Sequence, residues 1–169
     1  MINPFRTSFR IQFLLGFLAC VALLGYAFHT QLREVNPLEP CPLCIFQRIA
    51  FFALGAAFLL GALHAPLKAG WRRAYGVLAL IAAGVGIAVA GRHVWITHLP
   101  ADQVPSCGAP FEFMRQSMGT MKLIQKVMTG SGECAKVDWA FLGLSMPAWS
   151  LIWLIALALW AGYAAFRRR

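Results

Sequence analysis

The sequence predicts an all-α membrane protein: a bundle of four transmembrane helices whose second outer loop carries a short amphipathic surface helix. Two observations predict this fold class. The chain of 169 residues is 60% hydrophobic and only 12% charged. It also contains four apolar runs close to the roughly 20 residues that a helix needs to cross a bilayer. Four such spans would take up about half of the chain, so we expect a single membrane domain covering residues 1–169.

The predicted spans are residues 11–28, 44–63, 74–96 and 147–166, with outer loops at about 29–43 and 97–146. A cleaved signal peptide is the alternative for the first span. Its apolar run is longer than the usual signal core of about 7–15 residues, and no small-residue cleavage site follows it. We therefore expect an uncleaved helix. Spans two and three contain many small residues, which let membrane helices pack closely; these are Gly55, Ala56, Ala57, Gly61, Ala82, Ala83, Gly84 and Gly86.

The charged residues predict the orientation of the spans. Basic residues without any acid stand before span one, between spans two and three, and after span four: Arg6, Arg10, Lys68, Arg72, Arg73, Arg167, Arg168 and Arg169. The six acids all lie in the two other connections: Glu34, Glu39, Asp102, Glu112, Glu133 and Asp138. By the positive-inside rule, both termini and the middle turn are cytoplasmic. The net charge of +9 is therefore mostly a topology signal, and no nucleic-acid partner is expected.

A Cys-x-x-Cys pair stands where the second span begins. Proline is favoured at the first position of a helix, so Pro42 should open the helix and Cys41 should cap it. Cys44 then lies in the first turn, where the helix N-terminus favours a thiolate. Arg48 follows four residues later on the same helix face and supplies a second positive charge. The pair is therefore a candidate redox dithiol at the membrane surface.

The distribution of the five cysteines supports a redox role. Cys41 and Cys44 border the first outer loop and Cys107 and Cys134 lie in the second, so four cysteines share the oxidising side, where disulfides persist. A zinc site is the alternative, but Cys107 and Cys134 are far apart and have no histidine at ligand spacing. We expect no metal. Cys20 lies in the middle of span one and is expected to be a buried small hydrophobe.

A dithiol that is oxidised needs an acceptor for two electrons, and the chain has no flavin, haem or nucleotide motif. A membrane-soluble quinone fits this need. Arg48 could donate a hydrogen bond to such an acceptor, although it could also extend to lipid headgroups. His93 and His98 end the third span near the same membrane depth. Either histidine could assist a reducible carbonyl, or both could be ordinary interfacial residues.

The second outer loop contains its own helical pattern. Apolar residues recur there every three or four positions: Phe111, Met114, Met118, Met121, Ile124 and Met128. This spacing predicts an amphipathic helix on the membrane surface. A loop helix packed on the outer end of the bundle would leave the same pattern, so that alternative stays open.

Several motifs together resemble one known family. They are Cys41-Pro-Leu-Cys44-Ile-Phe-Gln-Arg48, the loop pair Cys107 and Cys134, and the segment Trp139-Ala-Phe-Leu-Gly-Leu-Ser-Met-Pro-Ala-Trp149. Over nearly the whole chain they resemble the DsbB family of bacterial disulfide bond formation proteins. The resemblance implies an inner-membrane enzyme that reoxidises a periplasmic, thioredoxin-fold dithiol oxidase of the DsbA type. Its electron acceptor would be ubiquinone or menaquinone.

The resemblance also implies roles for individual residues. Cys107–Cys134 would be the disulfide that the reduced partner attacks at Cys107. From the loop residues themselves, with prolines and a glycine around Cys107, we expect Ser106–Pro110 to contact the partner as an extended segment. Electrons would pass to the Cys41–Cys44 pair through an exchange in which Cys41 and Cys134 can pair, and Cys44 would face the quinone. Arg48 and a histidine, His98 from its spacing to Gly91 with His93 in contention, would assist the acceptor. Gln47 stands where relatives can carry an acid, so no acid–base role is expected of it.

Two other hypotheses remain at this stage. The protein could be a non-enzymatic membrane module with structural disulfides or a metal-binding cysteine cluster. It could also be an enzyme of the vitamin K epoxide reductase type, which likewise joins a Cys-x-x-Cys to a quinone in a four-helix bundle. The spacing of the loop cysteines and the segment from Trp139 to Trp149 argue against this second alternative.

Overall fold

The computed structural model describes residues 8–32, 40–100, 132–135 and 139–167. Four long helices account for most of them: α1 (Phe9–Gln31), α2 (Pro42–His64), α3 (Ala69–Thr97) and α5 (Met146–Phe166). One helical turn, α4 (Gly132–Ala135), and a hairpin of β1 (Ala140–Phe141) and β2 (Leu144–Ser145) precede α5. Each predicted span lies inside one long helix, so the four-helix fold class is confirmed. Cys107 and the predicted surface helix at 111–128 lie outside the described residues.

The long helices have the length and composition of membrane spans. Each contains a window of 18 residues with a mean hydropathy between 1.7 and 2.1, and a crossing needs roughly 20 residues. Large apolar side chains point away from the bundle along all four helices, among them Leu18, Phe52, Leu60, Ile81, Val85, Ile155 and Leu159. Such a surface is suited to lipid, and the chain is a multi-pass membrane protein.

The helices pack into a closed bundle. Helix α3 lies between α2 and α5, while α1 packs on α2 and also contacts α5. Phe13 of α1 meets Phe58 of α2 edge to face, with ring centroids 5.2 Å apart. Small residues permit this approach: a Cβ atom added at Gly61 would lie 2.5 Å from Cδ1 of Phe13, and one at Gly76 would overlap Cβ of Ala165. The interior of the bundle is therefore close-packed and mostly apolar.

Not every small residue of spans two and three serves this packing. Gly55 and Gly86 face neighbouring helices, but a Cβ added at Gly84 would meet nothing within 4 Å. Ala56 is likewise exposed. These two positions do not contribute to the helix contacts, because the helical turn points them outward.

One end of the bundle gathers the chemically distinctive residues. Here α1 and α3 end while α2 and α5 begin, and α4 and the hairpin lie at the same end. The basic turn that contains Lys68 joins α2 to α3 at the opposite end. We call the first of these the dithiol end, because Cys41 and Cys44 lie there.

Candidate active site

The Cys-x-x-Cys pair forms the start of α2 as the sequence predicts. Cys41 is the N-cap and Pro42 the first helical residue, and the backbone N–H of Cys44 donates to Sγ of Cys41 at 3.4 Å. The two Sγ atoms lie 3.1 Å apart, and both cysteines are partly buried. A disulfide needs about 1 Å of further approach. The pair is therefore placed for reversible oxidation without a rearrangement of the helix.

Arg48 is partly buried and is held against the end of α1. Its guanidinium donates hydrogen bonds to Oε1 of Gln31 and, at 3.0 Å, to the carbonyl oxygen of Ala27. It also lies over the ring of Phe28, 4.9 Å from the centroid. These contacts fix the positive charge on the same side of α2 as Cys44. Gln31 and Phe28 carried no signal in the sequence, because their contact with Arg48 depends on how α1 packs on α2.

A cavity of about 480 Å³ opens beside Cys44 and Arg48. One wall carries the polar groups of Cys44, Gln47 and Arg48, and most of the remaining wall is apolar or aromatic. Its other lining residues are Leu23, Leu24, Tyr26, Ala27, Thr30, Pro40, Phe51, Trp139, Phe141, Met146, Trp149, Ser150 and Trp153. An apolar pocket with a few convergent polar groups is the usual form of a small-molecule site.

The hairpin before α5 builds the aromatic wall. Its turn residues Leu142 and Gly143 have φ angles of 52° and 77°, the left-handed geometry of a tight two-residue hairpin turn. The indole N–H of Trp149 donates to the carbonyl oxygen of Phe141 at 3.1 Å, and the rings of Trp139 and Phe141 stack with centroids 6.1 Å apart. This hairpin was not predicted from the sequence, where Gly143 was the available signal for its turn.

His93 lies on the other side of the dithiol. It is buried, and its Nε2 lies 3.7 Å from Sγ of Cys41 and 3.2 Å from the carbonyl oxygen of Cys134. Its Nδ1 lies 2.9 Å from Nε2 of Gln47, which is also buried. Cys41, Cys44 and His93 offer three possible metal ligands within 4.8 Å of one another. Gln47 thus has a partner that its sequence position did not indicate.

His98 is placed differently from His93. It follows the last residue of α3, is exposed, and has its Nδ1 2.8 Å from the carbonyl oxygen of Val94. Among the described residues, His93 reaches the dithiol, whereas His98 lines neither the cavity nor the dithiol contacts. A role for either histidine at an electron acceptor stays a prediction.

Two further cysteines lie in distinct surroundings. Cys134 in α4 is buried in a cluster with Leu43, Val89 and Ile96, and Cys41 packs against that cluster. Cys20 is 1% exposed in the apolar core of the bundle, as expected for a small hydrophobe. The structure therefore brings three of the four predicted redox cysteines to the dithiol end, while Cys107 lies outside the described residues.

Comparison with known proteins identifies the family. The sequence profile of the DsbB family, described as Disulfide bond formation protein DsbB, matches residues 9–164. Disulfide bond formation protein B of Xanthomonas campestris pv. campestris (strain 8004) is 59% identical over 168 residues, covering 99% of this chain and 96% of the relative. The Xanthomonas euvesicatoria pv. vesicatoria (strain 85-10) protein is 58% identical with the same coverage. The Xylella fastidiosa (strain 9a5c) protein is 47% identical over 171 residues, covering 99% and 98%.

These matches span the dithiol, the hairpin and all four long helices. They exclude the alternative of a vitamin K epoxide reductase type, and they argue against a non-enzymatic module. The chain belongs to the DsbB family and is a multi-pass membrane oxidoreductase that forms disulfide bonds.

Proposed function

We propose that this protein is a thiol:quinone oxidoreductase that reoxidises a DsbA-type periplasmic dithiol oxidase and passes two electrons to a membrane quinone. One observation carries the proposal: Cys44 of the Cys-x-x-Cys pair lines an apolar cavity beside the fixed guanidinium of Arg48. A dithiol next to a small-molecule site gives the electrons a short route to an acceptor. The family's role in disulfide formation requires such an acceptor.

The cavity suits the head group of a quinone such as ubiquinone or menaquinone. Its volume of about 480 Å³ lies within the range of ligand pockets, roughly 300–1,000 Å³. Trp149 and Phe141 offer flat apolar surfaces for a ring, while Arg48 offers charged N–H donors for a carbonyl oxygen. A bound quinone would take up the two electrons and two protons that the dithiol releases. The role of Cys44 is to present its sulfur to this cavity.

Thiol–disulfide exchange would deliver the electrons to Cys44. The partner's thiolate attacks Cys107 of the Cys107–Cys134 disulfide, and the partner's second thiol then releases the oxidised partner and leaves both loop cysteines reduced. Cys134 next attacks Cys41 of the Cys41–Cys44 disulfide and displaces the Cys44 thiolate. Attack of Cys107 on Cys134 restores the loop disulfide and frees Cys41, so two electrons have moved from the partner to the dithiol.

The packing around Cys41 supports this order of exchange. Cys134 belongs to the buried cluster against which Cys41 packs, and its carbonyl oxygen shares His93 with Cys41. Attack on Cys41 leaves Cys44 as the displaced sulfur, and Cys44 is the cysteine of the pair that lines the cavity. In this scheme, His93 acts beside Cys41. Neither histidine lines the cavity among the described residues, so a role for His98 or His93 at the quinone rests on the resemblance alone.

The membrane location follows from the same scheme. We place the protein in the bacterial inner membrane as a single domain covering residues 1–169, with both termini cytoplasmic and both cysteine-bearing loops periplasmic. The basic residues at the α2–α3 turn and the oxidising chemistry at the opposite end of the bundle support this orientation. The partners are then the periplasmic oxidase, the quinone pool and the bilayer lipids.

An anaerobic assay tests the proposal. Purified protein in detergent receives a short-chain ubiquinone and a reduced DsbA-type partner, and the absorbance of the quinone is followed. The wild type should reduce quinone catalytically and Cys44→Ser should not, while Cys20→Ala should behave as the wild type. Absence of quinone reduction by the wild type, with an inert Cys41–Cys44 disulfide, would contradict the proposal.

A trapping experiment tests the entry point of the electrons. In the scheme above, a partner that lacks its second cysteine should attack the Cys107–Cys134 disulfide of the wild type, release the Cys134 thiolate and stay bound to Cys107 as a mixed disulfide. Cys107→Ser should trap no partner. A covalent complex formed through Cys134 in the Cys107→Ser variant would show that the assignment of these two cysteines is wrong.

A further inference from the structure

Three side chains with soft or borderline donor atoms converge at the dithiol end. Sγ of Cys41, Sγ of Cys44 and a ring nitrogen of His93 all lie within 4.8 Å of one another. His93 lies in α3, 52 residues along the chain from Cys41, so only the packing of α3 on α2 forms this cluster. Thiolate and imidazole are the ligands that Zn²⁺ and Cu⁺ prefer, whereas Mg²⁺ and Ca²⁺ prefer oxygen.

Two of the three distances between the donor atoms are close to those of a tetrahedral zinc site, and the third, from Cys44 to His93, is at most 4.8 Å. Zn–S and Zn–N bonds of about 2.3 and 2.0 Å place two sulfurs about 3.8 Å apart, and a sulfur and a nitrogen about 3.5 Å apart. The Cys41–His93 separation is 3.7 Å and the Cys41–Cys44 separation is 3.1 Å. The sulfurs must therefore open by about 0.7 Å. Rotation of the Cys41 side chain at its N-cap position can supply this movement.

Gln47 supplies the outer contact that a ligating histidine needs. A histidine that binds a metal through Nε2 usually donates its Nδ1–H to an acceptor, which fixes the ring. The side-chain amide of Gln47 lies 2.9 Å from Nδ1 of His93 and is itself only 4% exposed. Rotation of the amide by half a turn brings its oxygen to Nδ1. Gln47 can therefore hold the tautomer that has a lone pair on Nε2, and a metal bound there replaces the contact of Nε2 with the carbonyl oxygen of Cys134.

We propose that the reduced dithiol and His93 form a binding site for one thiophilic metal ion, with Zn²⁺ as the ion that we would test first. Binding replaces the two thiol protons with the metal and releases them to solvent, so no electrons are transferred. The oxidised Cys41–Cys44 disulfide offers no thiolates and should not bind. The metal would thus hold the enzyme in its reduced state.

The site would make the enzyme sensitive to metal at one step of its cycle. This consequence rests on the proposed function, because a Cys44 sulfur bound to Zn²⁺ cannot pass electrons to an acceptor in the cavity. Zn²⁺ should inhibit turnover only after reduction of the dithiol, and a chelator should restore it. At a free Zn²⁺ concentration nine times the dissociation constant, the fraction of metal-free reduced enzyme and the turnover should fall about tenfold.

The binding test uses the full-length protein in detergent without quinone or partner. Background thiols are removed with Cys20→Ala, Cys107→Ala and Cys134→Ala, and the reduced protein is titrated with Co²⁺ and then with Zn²⁺. We expect one ion per chain, a thiolate-to-cobalt charge-transfer band and strong tetrahedral d–d absorption, with none of these in the oxidised protein. Mg²⁺ should not displace Co²⁺. Equal binding by oxidised protein or a spectrum without thiolate bands would overturn the site.

His93 distinguishes this site from an ordinary thiol pair. His93→Gln should weaken Zn²⁺ binding by about 10- to 100-fold or more, whereas the matched control His98→Gln should bind as the wild type does. X-ray absorption of the zinc-loaded wild type, which does not depend on the folding of a variant, should show at least two sulfurs and one imidazole. Unchanged affinity in a folded His93→Gln variant, or a zinc shell without imidazole, would refute the proposal. Neither measurement depends on quinone reduction. The metal-site proposal can therefore be refuted while the proposed function stands.

Discussion

The two sulfurs of one dithiol lie in contrasting surroundings. Cys44 faces a cavity with aromatic walls and the fixed guanidinium of Arg48. Cys41 faces His93 and the buried cluster that contains Cys134. The sulfurs are only 3.1 Å apart, yet one side suits a flat apolar acceptor and the other suits exchange with another cysteine. A Cys-x-x-Cys at the start of a helix can therefore connect two reactions: one sulfur faces the electron acceptor, and the other takes part in thiol–disulfide exchange.

The largest effect that follows from this comparison is the loss of turnover in Cys44→Ser. Quinone reduction should fall by about 1,000-fold or more, because the only redox sulfur at the cavity among the described residues is gone. Exchange at the Cys107–Cys134 disulfide should persist and is measured as oxidation of one equivalent of partner in a single turnover. The control Cys20→Ala alters a cysteine in the apolar core and should retain turnover. If Cys44→Ser reduces quinone at a rate within tenfold of the wild type, Cys44 is not the sulfur that passes electrons to the cavity.

Arg48→Gln should weaken only the cavity side. Loss of a charged hydrogen-bond donor raises the KM for quinone by about 10- to 100-fold, and the single-turnover exchange with the partner should not change. Arg73→Gln, at the opposite end of the bundle, is the matched control. A slower partner exchange in Arg48→Gln, with an unchanged KM for quinone, would show that Arg48 serves the exchange at Cys41 and not the cavity beside Cys44.

A substitution that disturbs the packing of α3 on α5 should lower the stability of the whole bundle. A Cβ at Gly76 would overlap Cβ of Ala165, while one at Gly84 would meet nothing within 4 Å. Gly76→Ala should lower the free energy of unfolding by about 1–3 kcal/mol, and Gly84→Ala should leave it unchanged or raise it slightly. Thermal unfolding in detergent measures both. If Gly84→Ala proves the more damaging substitution, the described packing of α3 on α5 is incorrect.

Trp149→Phe should have the smallest effect. It keeps an aromatic ring at the cavity but removes the hydrogen bond from the indole to the carbonyl oxygen of Phe141. Loss of one neutral hydrogen bond of this kind corresponds to about a 2- to 10-fold rise in the KM for quinone, with partner exchange unaffected. Steady-state kinetics measures both values, and Trp160→Phe, remote from the cavity lining, serves as the control. An equal rise in KM in both variants would show that the hairpin has no specific role in quinone binding.

The sequence predicted the features that depend on local chemistry. Each of these features depends on residues that are close together in the sequence. The structure confirms the N-cap at Cys41, Pro42 as the first helical residue and the four spans. The partner of the dithiol was harder to predict, because it depends on how α3 is rotated about its axis. Val89, His93 and Ile96 are all buried, at spacings of three and four residues, and this pattern could have favoured His93 over His98 as the neighbour of Cys41.

The cavity could not be predicted in the same way. Arg48 was recognised from its spacing to Cys44, but Gln31 and Phe28, which hold it, come from another helix. The hairpin that supplies Phe141 is too short to leave a strand pattern and is indicated only by Gly143. Such contacts between distant segments arise from the packing of whole helices, which a single sequence does not reveal.

The most direct test of the central claim is to locate the quinone relative to the two sulfurs. An azidoquinone is bound to the protein in detergent under anaerobic conditions, photolysed, and the labelled peptides are mapped by mass spectrometry. Our account predicts labels on the cavity lining from α1, the hairpin and the start of α5, such as Tyr26, Phe141 or Trp149, competed by excess ubiquinone. Competed labels confined to Val89–Ile96 of α3, on the Cys41 side, would contradict it.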